Sequence, residues 1–179
     1  METDIDYDMS LGEEAIDFTL QGVDGKKYEL DDFDEDILVI FFTCNHCPYA
    51  QAYEERIMKL VDDFEDVDFV AINSNDSENY PEDSFEKMKE KAEEEEFNFP
   101  YLRDKKQTVA TDYGAECTPH FFVFDGERKL RYQGAFDDNW QNPRQVDNEY
   151  LQTAIEDLQE GEEVETPLTS AMGCSIKWK

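Results

Sequence analysis

The chain has 179 residues, with 46 Asp or Glu against 16 Lys or Arg, giving a formal charge of −30. That length supports one domain with a full hydrophobic core, and the acidic excess excludes nucleic acid and anionic membranes as partners. Aromatics at 13% and clear apolar runs exclude a disordered chain. The acidic residues are spread along the whole sequence, a pattern resembling proteins that work in molar salt, where screening shortens to roughly 3 Å. A halophilic setting is therefore expected.

The first eight residues have neither a basic n-region nor an apolar run, so no secretory signal is expected. No apolar run approaches the roughly 18 residues of a membrane span. The reading is a cytoplasmic protein, whose four cysteines are reactive or ligating thiols rather than a disulfide framework.

Residues 1–14 read as an acidic, mobile lead-in. Residues 15–20 and 26–30 flank Gln21-Gly22-Val23-Asp24-Gly25, a turn-rich connection that predicts a β-hairpin. An acidic loop then feeds Ile37-Leu-Val-Ile-Phe-Phe42, six apolar residues that predict a fully buried strand. Cys44-Asn45-His46-Cys47-Pro48 follows Thr43. Apolar residues next recur at Ala50, Tyr53, Ile57, Leu60, Val61 and Phe64 with charges between them, which predicts an amphipathic helix.

Val67–Asn73 reads as a second apolar strand, and residues 74–83, polar and containing Pro81, as a loop. Ser84 can cap a helix with a thin apolar side of Phe85, Met88 and Ala92; the acidic run 93–96 is its solvated face. Residues 97–102 lead into a short helix, Thr108–Tyr113, closed by Gly114. Phe121-Phe-Val-Phe124, Asp125-Gly126 and Leu130–Gly134 predict a hairpin, and Leu151, Ala154, Ile155 and Leu158 a final helix ending near Gly161. The domain spans residues 15–161, and 162–179 form a tail that ends Gly173-Cys174-Ser-Ile-Lys-Trp-Lys179. The order β-β-β-α-β-α-(α)-β-β-α describes an α/β sandwich with a mixed sheet.

The Cys-x-x-Cys pair lies between a buried strand and the first turn of a helix. Unpaired N–H groups and the positive dipole end there favour a thiolate over a thiol. The two-residue spacing leaves one sulfur exposed at the helix tip with the other in reach, so the pair can close and reopen as a disulfide. Cys117-Thr118-Pro119-His120 is the second cluster, where proline must open a strand or occupy a tight bend. Three of four cysteines and both histidines fall in these two short segments. His46 would stabilise a neighbouring thiolate when protonated, or else simply face solvent. Cys117 is either a third thiol within reach or a small buried residue, and His120 either a site residue or a strand cap. Cys174 is a resolving thiol if the tail folds back; the preferred reading is a plain tail cysteine.

A strand, Cys-x-x-Cys at a helix start and a distant Thr-Pro opening a β-hairpin resemble the thioredoxin fold. The N-terminal hairpin, the helix after Ser84 and Phe121-Phe-Val-Phe-Asp-Gly126 resemble its redoxin branch across residues 10–160. That branch holds the alkyl hydroperoxide reductase/thiol-specific antioxidant proteins and related thioredoxin-like reductases. Residues 42–49 and the terminal Gly-Cys-Ser-Ile-Lys-Trp-Lys are similar to a peroxiredoxin-like subgroup. The resemblance implies a three-layer α/β sandwich whose mixed central sheet carries an N-terminal hairpin extension. It also implies thiol chemistry without a cofactor or metal.

By that resemblance Cys44 matches the attacking cysteine and Cys47 the resolving one, with Pro48 behind them. Pro119 matches the cis-proline, and Thr118 offers backbone groups to an extended substrate segment. The implied function is thiol–disulfide exchange on protein or small-molecule disulfides with a thiol reductant. The alternative is a peroxidase with Cys47 as peroxidatic residue. There a threonine should stand three residues before it, but Cys44 does, and no activating arginine aligns among Arg103, Arg128 and Arg131. A second alternative is a zinc or copper module built from Cys44, Cys47, Cys117 and His120.

The charge bears on this chemistry. A thiolate adds to a surface already at −30, so the long-range field opposes ionisation, while helix end and His46 act at contact range. Salt screens the former more than the latter. The reactive thiol's pKa, read from the pH dependence of alkylation, is expected to fall as salt rises. A flat or rising pKa would leave the acidic surface without a role in the chemistry.

Overall fold

The computed structural model describes residues 5–179. β1 (Thr19–Gly22) and β2 (Lys27–Glu29) form the expected N-terminal hairpin, pairing antiparallel from Thr19↔Glu29 to Gln21↔Lys27. β3 (Ile37–Phe42) is buried at every position. Its side chains alternate between two cores. Ile37, Val39 and Phe41 join one cluster and Leu38, Ile40 and Phe42 the other. Each buried side chain of this size is worth about 1.5–3 kcal/mol, so the strand is strongly fixed in register.

α1 (Pro48–Asp63) starts with proline at its first position, where the missing N–H costs nothing, and buries Tyr53, Ile57 and Leu60. β4 (Val67–Asn73) pairs parallel to β3. α2 (Phe85–Glu94) is capped by Ser84, whose Oγ accepts from the N–H of Lys87 at 3.2 Å. β5 (Tyr101–Arg103) follows, then α3 (Thr108–Tyr113), closed by Gly114 in the left-handed region. β6 (Cys117–Thr118), β7 (His120–Phe124), β8 (Leu130–Gly134), α4 (Tyr150–Gln159) and β9 (Cys174–Ser175) complete the chain.

The main sheet runs β2-β1-β5-β4-β3-β7-β8; β3, β4 and β5 are parallel and the other pairings antiparallel. Side chains of α1, α2 and α4 pack on one face; α3 and the N-terminal segment pack on the other. The three-layer sandwich with its hairpin extension is thus as expected. Among the described residues no helix is long and apolar enough to cross a membrane.

Four features differ from the sequence reading. β5, expected only as a lead-in to α3, is a strand between β1 and β4. β6 and β9 form a second, two-stranded ladder. The lead-in, of which residues 1–4 lie outside the described residues, is docked rather than mobile: Gly12 N donates to Leu130 O and Leu130 N to Glu13 O, each at 2.8 Å. Tyr7 and Met9 are buried. The tail is docked too: Gln133 N donates to Pro167 O, Thr169 N to Gln133 O, and Tyr7 Oη to Thr169 O.

His120 proves to be a core residue of β7 and not a ligand. Its Nδ1 accepts from the N–H of Glu116 and its Nε2 lies 3.2 Å from Gln133 Oε1, so both nitrogens are committed. The ring stacks on Phe122 with centroids 4.4 Å apart. The metal set that included His120 is therefore not available. Burial pushes its pKa down to about 4, so the unfolded chain takes up the proton first as pH falls. Stability is then expected to drop by about 3 kcal/mol between the unfolded pKa and the folded one. Urea unfolding across that window checks this; His120→Asn should flatten the slope, and an unchanged slope would contradict the assignment.

Candidate active site

The register of β3 on β7 builds the site. Phe42 faces His120 across the antiparallel pair, and carrying the same register two residues further sets Cys44 opposite Thr118. The sulfurs follow. Cys44 Sγ lies 3.4 Å from Thr118 Oγ1, and Cys47 Sγ lies 3.4 Å from Thr118 O. The Thr118–Pro119 peptide is cis, as the resemblance implied. Cys47 is the N-cap residue of α1, with Pro48 behind it at N1.

Both sulfurs are covered: Cys44 is 3% and Cys47 1% exposed. The expectation of one exposed sulfur at the helix tip is thus corrected. The cover is the tail. β9 pairs antiparallel with β6, Cys117↔Ser175 and Thr118↔Cys174, and Cys174 Sγ sits 2.6 Å from Cys47 Sγ. That exceeds the about 2 Å of a disulfide bond but is well inside ordinary sulfur contact, and all four cysteines are free thiols. Cys174 is accordingly no plain tail cysteine; the tail folds back onto the pair.

The environment separates the thiols. Cys47 is held below the ordinary thiol range, first by its interaction with the neighbouring Cys44 thiol and further by Cys174 and the N–H of Ala50, against burial. Cys44 is driven up by the same interaction with Cys47, by burial and by the charge of Asp83. Cys174 is raised to about 11, chiefly by burial, with Lys177 pulling the other way. Cys117 turns to Pro119 O at 4.0 Å, and burial pushes its thiol up to about 12. It behaves as a small buried residue.

Asp83, in the stretch read as a polar loop, is fully buried. Its Oδ1 accepts from Asn45 N at 2.7 Å and Asn73 Nδ2 at 3.1 Å, and its Oδ2 from Asn75 Nδ2 at 3.0 Å. His46 Nδ1 lies 2.6 Å from Oδ2, too far out of line for a hydrogen bond, and the ring stacks on Tyr80. His46 thus pairs with a carboxylate beside the dithiol. Cys44, His46 and Asp83 bring possible ligand atoms within 4.8 Å of one another. An ion there would compete with donors that already occupy both carboxylate oxygens. Arg103 bonds Asn73 and Asn75, Arg128 the carbonyls of Phe33 and Glu35, and Arg131 Asp125, so none of the three hydrogen-bonds a sulfur.

No protein of curated function matches the chain. An uncharacterised conserved protein from Geobacillus kaustophilus is 44% identical over 98% of this chain and 96% of its own, with a TM-score of 0.91. A hypothetical protein from Sinorhizobium meliloti 1021 is 37% identical over 96% of each chain, with a TM-score of 0.90. Peroxidoxin BcpB from Mycobacterium tuberculosis shares the thioredoxin-like fold at 24% identity and a TM-score of 0.60, over 70% of this chain and 84% of its own. The profile of the AhpC/TSA family matches residues 11–133, which hold the central strand, the dithiol, the cis-proline and the hairpin after it; the chain belongs to that family.

Proposed function

We propose that the protein is a thiol–disulfide oxidoreductase whose working groups are Cys44 and Cys47. The observation that carries the reading is that both sulfurs meet on Thr118, before a cis-proline, with Cys47 capping α1. The surroundings favour the thiolate on Cys47, which reverses the order implied by the resemblance. Cys47 attacks the substrate disulfide, a mixed disulfide forms on it, and Cys44 resolves that bond as the second substrate thiolate leaves. Substrates are disulfides, with a thiol as reductant. Peroxide reduction through the same Cys47 is the second reading. It is disfavoured because Cys44 stands at the threonine position and no guanidinium supports the sulfur.

Serine variants test the order, with Cys174 also changed to Ser so that no third thiol touches the pair. Cys44→Ser is expected to hold a stable mixed disulfide with glutathione on Cys47, while Cys47→Ser reacts about tenfold slower or less. The opposite ranking would return the attacking role to Cys44. Hydrogen peroxide consumption that survives Cys44→Ser but not Cys47→Ser would favour the peroxidase.

The pH profile gives a separate check. A thiol held low stays ionised above its pKa, so alkylation of Cys47 should remain near its plateau from about pH 8 to about pH 6. Cys44→Ala removes the leading donor, and the fall-off should move up toward the ordinary value of about 8.5. An unmoved profile would mean that Cys44 does not set the ionisation of Cys47.

A further inference from the structure

The three sulfurs of the site are not equally reachable. Cys44 and Cys47 are buried and Cys174 is half-buried, so solvent meets the tail sulfur first. Backbone pairing holds it there: Cys174 stands opposite Thr118 on β6, the edge expected to receive an extended substrate segment. Gly173 makes the approach possible. It rests so closely on Thr118 O and Pro119 N that a Cβ would overlap backbone atoms. The tail is tied on both sides of this crossing, by Thr169 to Gln133 and by Lys177 N to Asn75 Oδ1 at 2.9 Å, with Lys177 O accepting from Asp76 N and Gln107 Nε2.

We propose that Cys174 is a third redox thiol, and that residues 173–175 act as a tethered substrate strand whose disulfide with Cys47 locks the tail over β6. This rests on the dithiol reading above. The Cys47 thiolate attacks a small disulfide, forming a bond to one substrate sulfur and releasing the other as a thiolate. The Cys174 sulfur then attacks Cys47 Sγ. The bond to the substrate breaks, its electron pair leaves with the substrate sulfur, and the proton of Cys174 goes to that thiolate. One substrate thiolate and one substrate thiol are formed, the thiolate taking its proton from water, and Cys47 and Cys174 together give up two electrons.

Cys44 competes for the same sulfur. It faces Asp83 from a buried position, whereas Cys174 is more open and has Lys177 nearby. With Cys47 buried, a small disulfide reaches it when residues 173–175 lift briefly between the two ties, whereas a protein segment must displace them from β6 and take their place. Such a segment would need a small residue just before its cysteine, as Gly173 is here.

The test is to oxidise the reduced protein with glutathione disulfide, alkylate free thiols and map disulfides by mass spectrometry of non-reducing digests. The unaltered chain, Cys44→Ser, Cys174→Ser and Gly173→Ala are compared, each with its fold confirmed by circular dichroism. A Cys47–Cys174 link is expected in the unaltered chain and in Cys44→Ser. In Gly173→Ala, which keeps every sulfur, its share should fall about tenfold relative to Cys44–Cys47, as overpacking lifts the tail. A Cys44–Cys47 disulfide with Cys174 fully alkylated in the unaltered chain would overturn the tail's role and leave the dithiol reading standing. Cys47 free of any disulfide in every variant would overturn both.

Discussion

The antiparallel register of β3 against β7 is the constraint on which the site depends. Leu38↔Phe124 through Phe42↔His120 fixes the alignment over five residue pairs, all buried. Because side chains alternate faces, a slip by one residue would exchange the two cores of β3, putting Phe41 where Phe42 packs. Burial on both faces makes that slip costly, so the strands' ends are placed with the precision of the core. Cys44 and Thr118 each lie two residues beyond those ends. Thr118 then serves three sulfurs at once, through its hydroxyl, its carbonyl and its pairing with Cys174.

The proposed order of the two sulfurs rests on electrostatics. A helix N-terminus is worth about 0.3–1 kcal/mol to a nearby anion, rising to about 2 when partly buried. Cys44 Sγ and an Asp83 carboxylate oxygen lie within 4.8 Å of each other, and two like charges that close repel by at least about 3 kcal/mol at an effective dielectric of 20. The carboxylate's own donors reduce this but do not change its sign. Cys44 meets the repulsion and Cys47 sits at the helix end, so both terms act in the direction the proposed order needs, toward a thiolate on Cys47. The amides of Asn73 and Asn75, with Asn45 N, hold Asp83 in place and thereby set this polarity.

Much of the fold and the dithiol loop was legible because the signals are long. Six apolar residues, a helical repeat from Ala50 to Leu60, the Ser84 cap and the Asp125-Gly126 turn each rest on several residues that agree. What was not legible is short or nonlocal. β5 has three residues and β6 and β9 two each, too few for periodicity to register. Residues 74–83 read as a loop because they are polar. Yet Ser74, Asn75, Asp76 and Asp83 are buried together with Asn73, since Asx side chains can satisfy one another and the backbone out of water. The tail's docking had one faint local sign, glycine directly before cysteine among the apolar residues Ala171, Met172 and Ile176. What gives Gly173 its meaning is the backbone of Thr118, distant in sequence.

Attachment at both ends changes what the tail costs to move. The outer segments lose conformational freedom once, on folding, and hydrogen bonds at Thr169, Ala171, Lys177 and Lys179 offset that loss. Between them Met172 and Ser175 are exposed, and the crossing is held by its short pairing with β6. Lifting it opens a loop of a few residues, and re-closing costs little because closure entropy grows only with the logarithm of loop length. A tethered thiol of this kind is present at an effective concentration on the order of millimolar or more. An outside thiol must match that concentration, or a partner segment must pair better with β6, before it displaces Cys174. The strap therefore sets a threshold for access to the dithiol without closing it off.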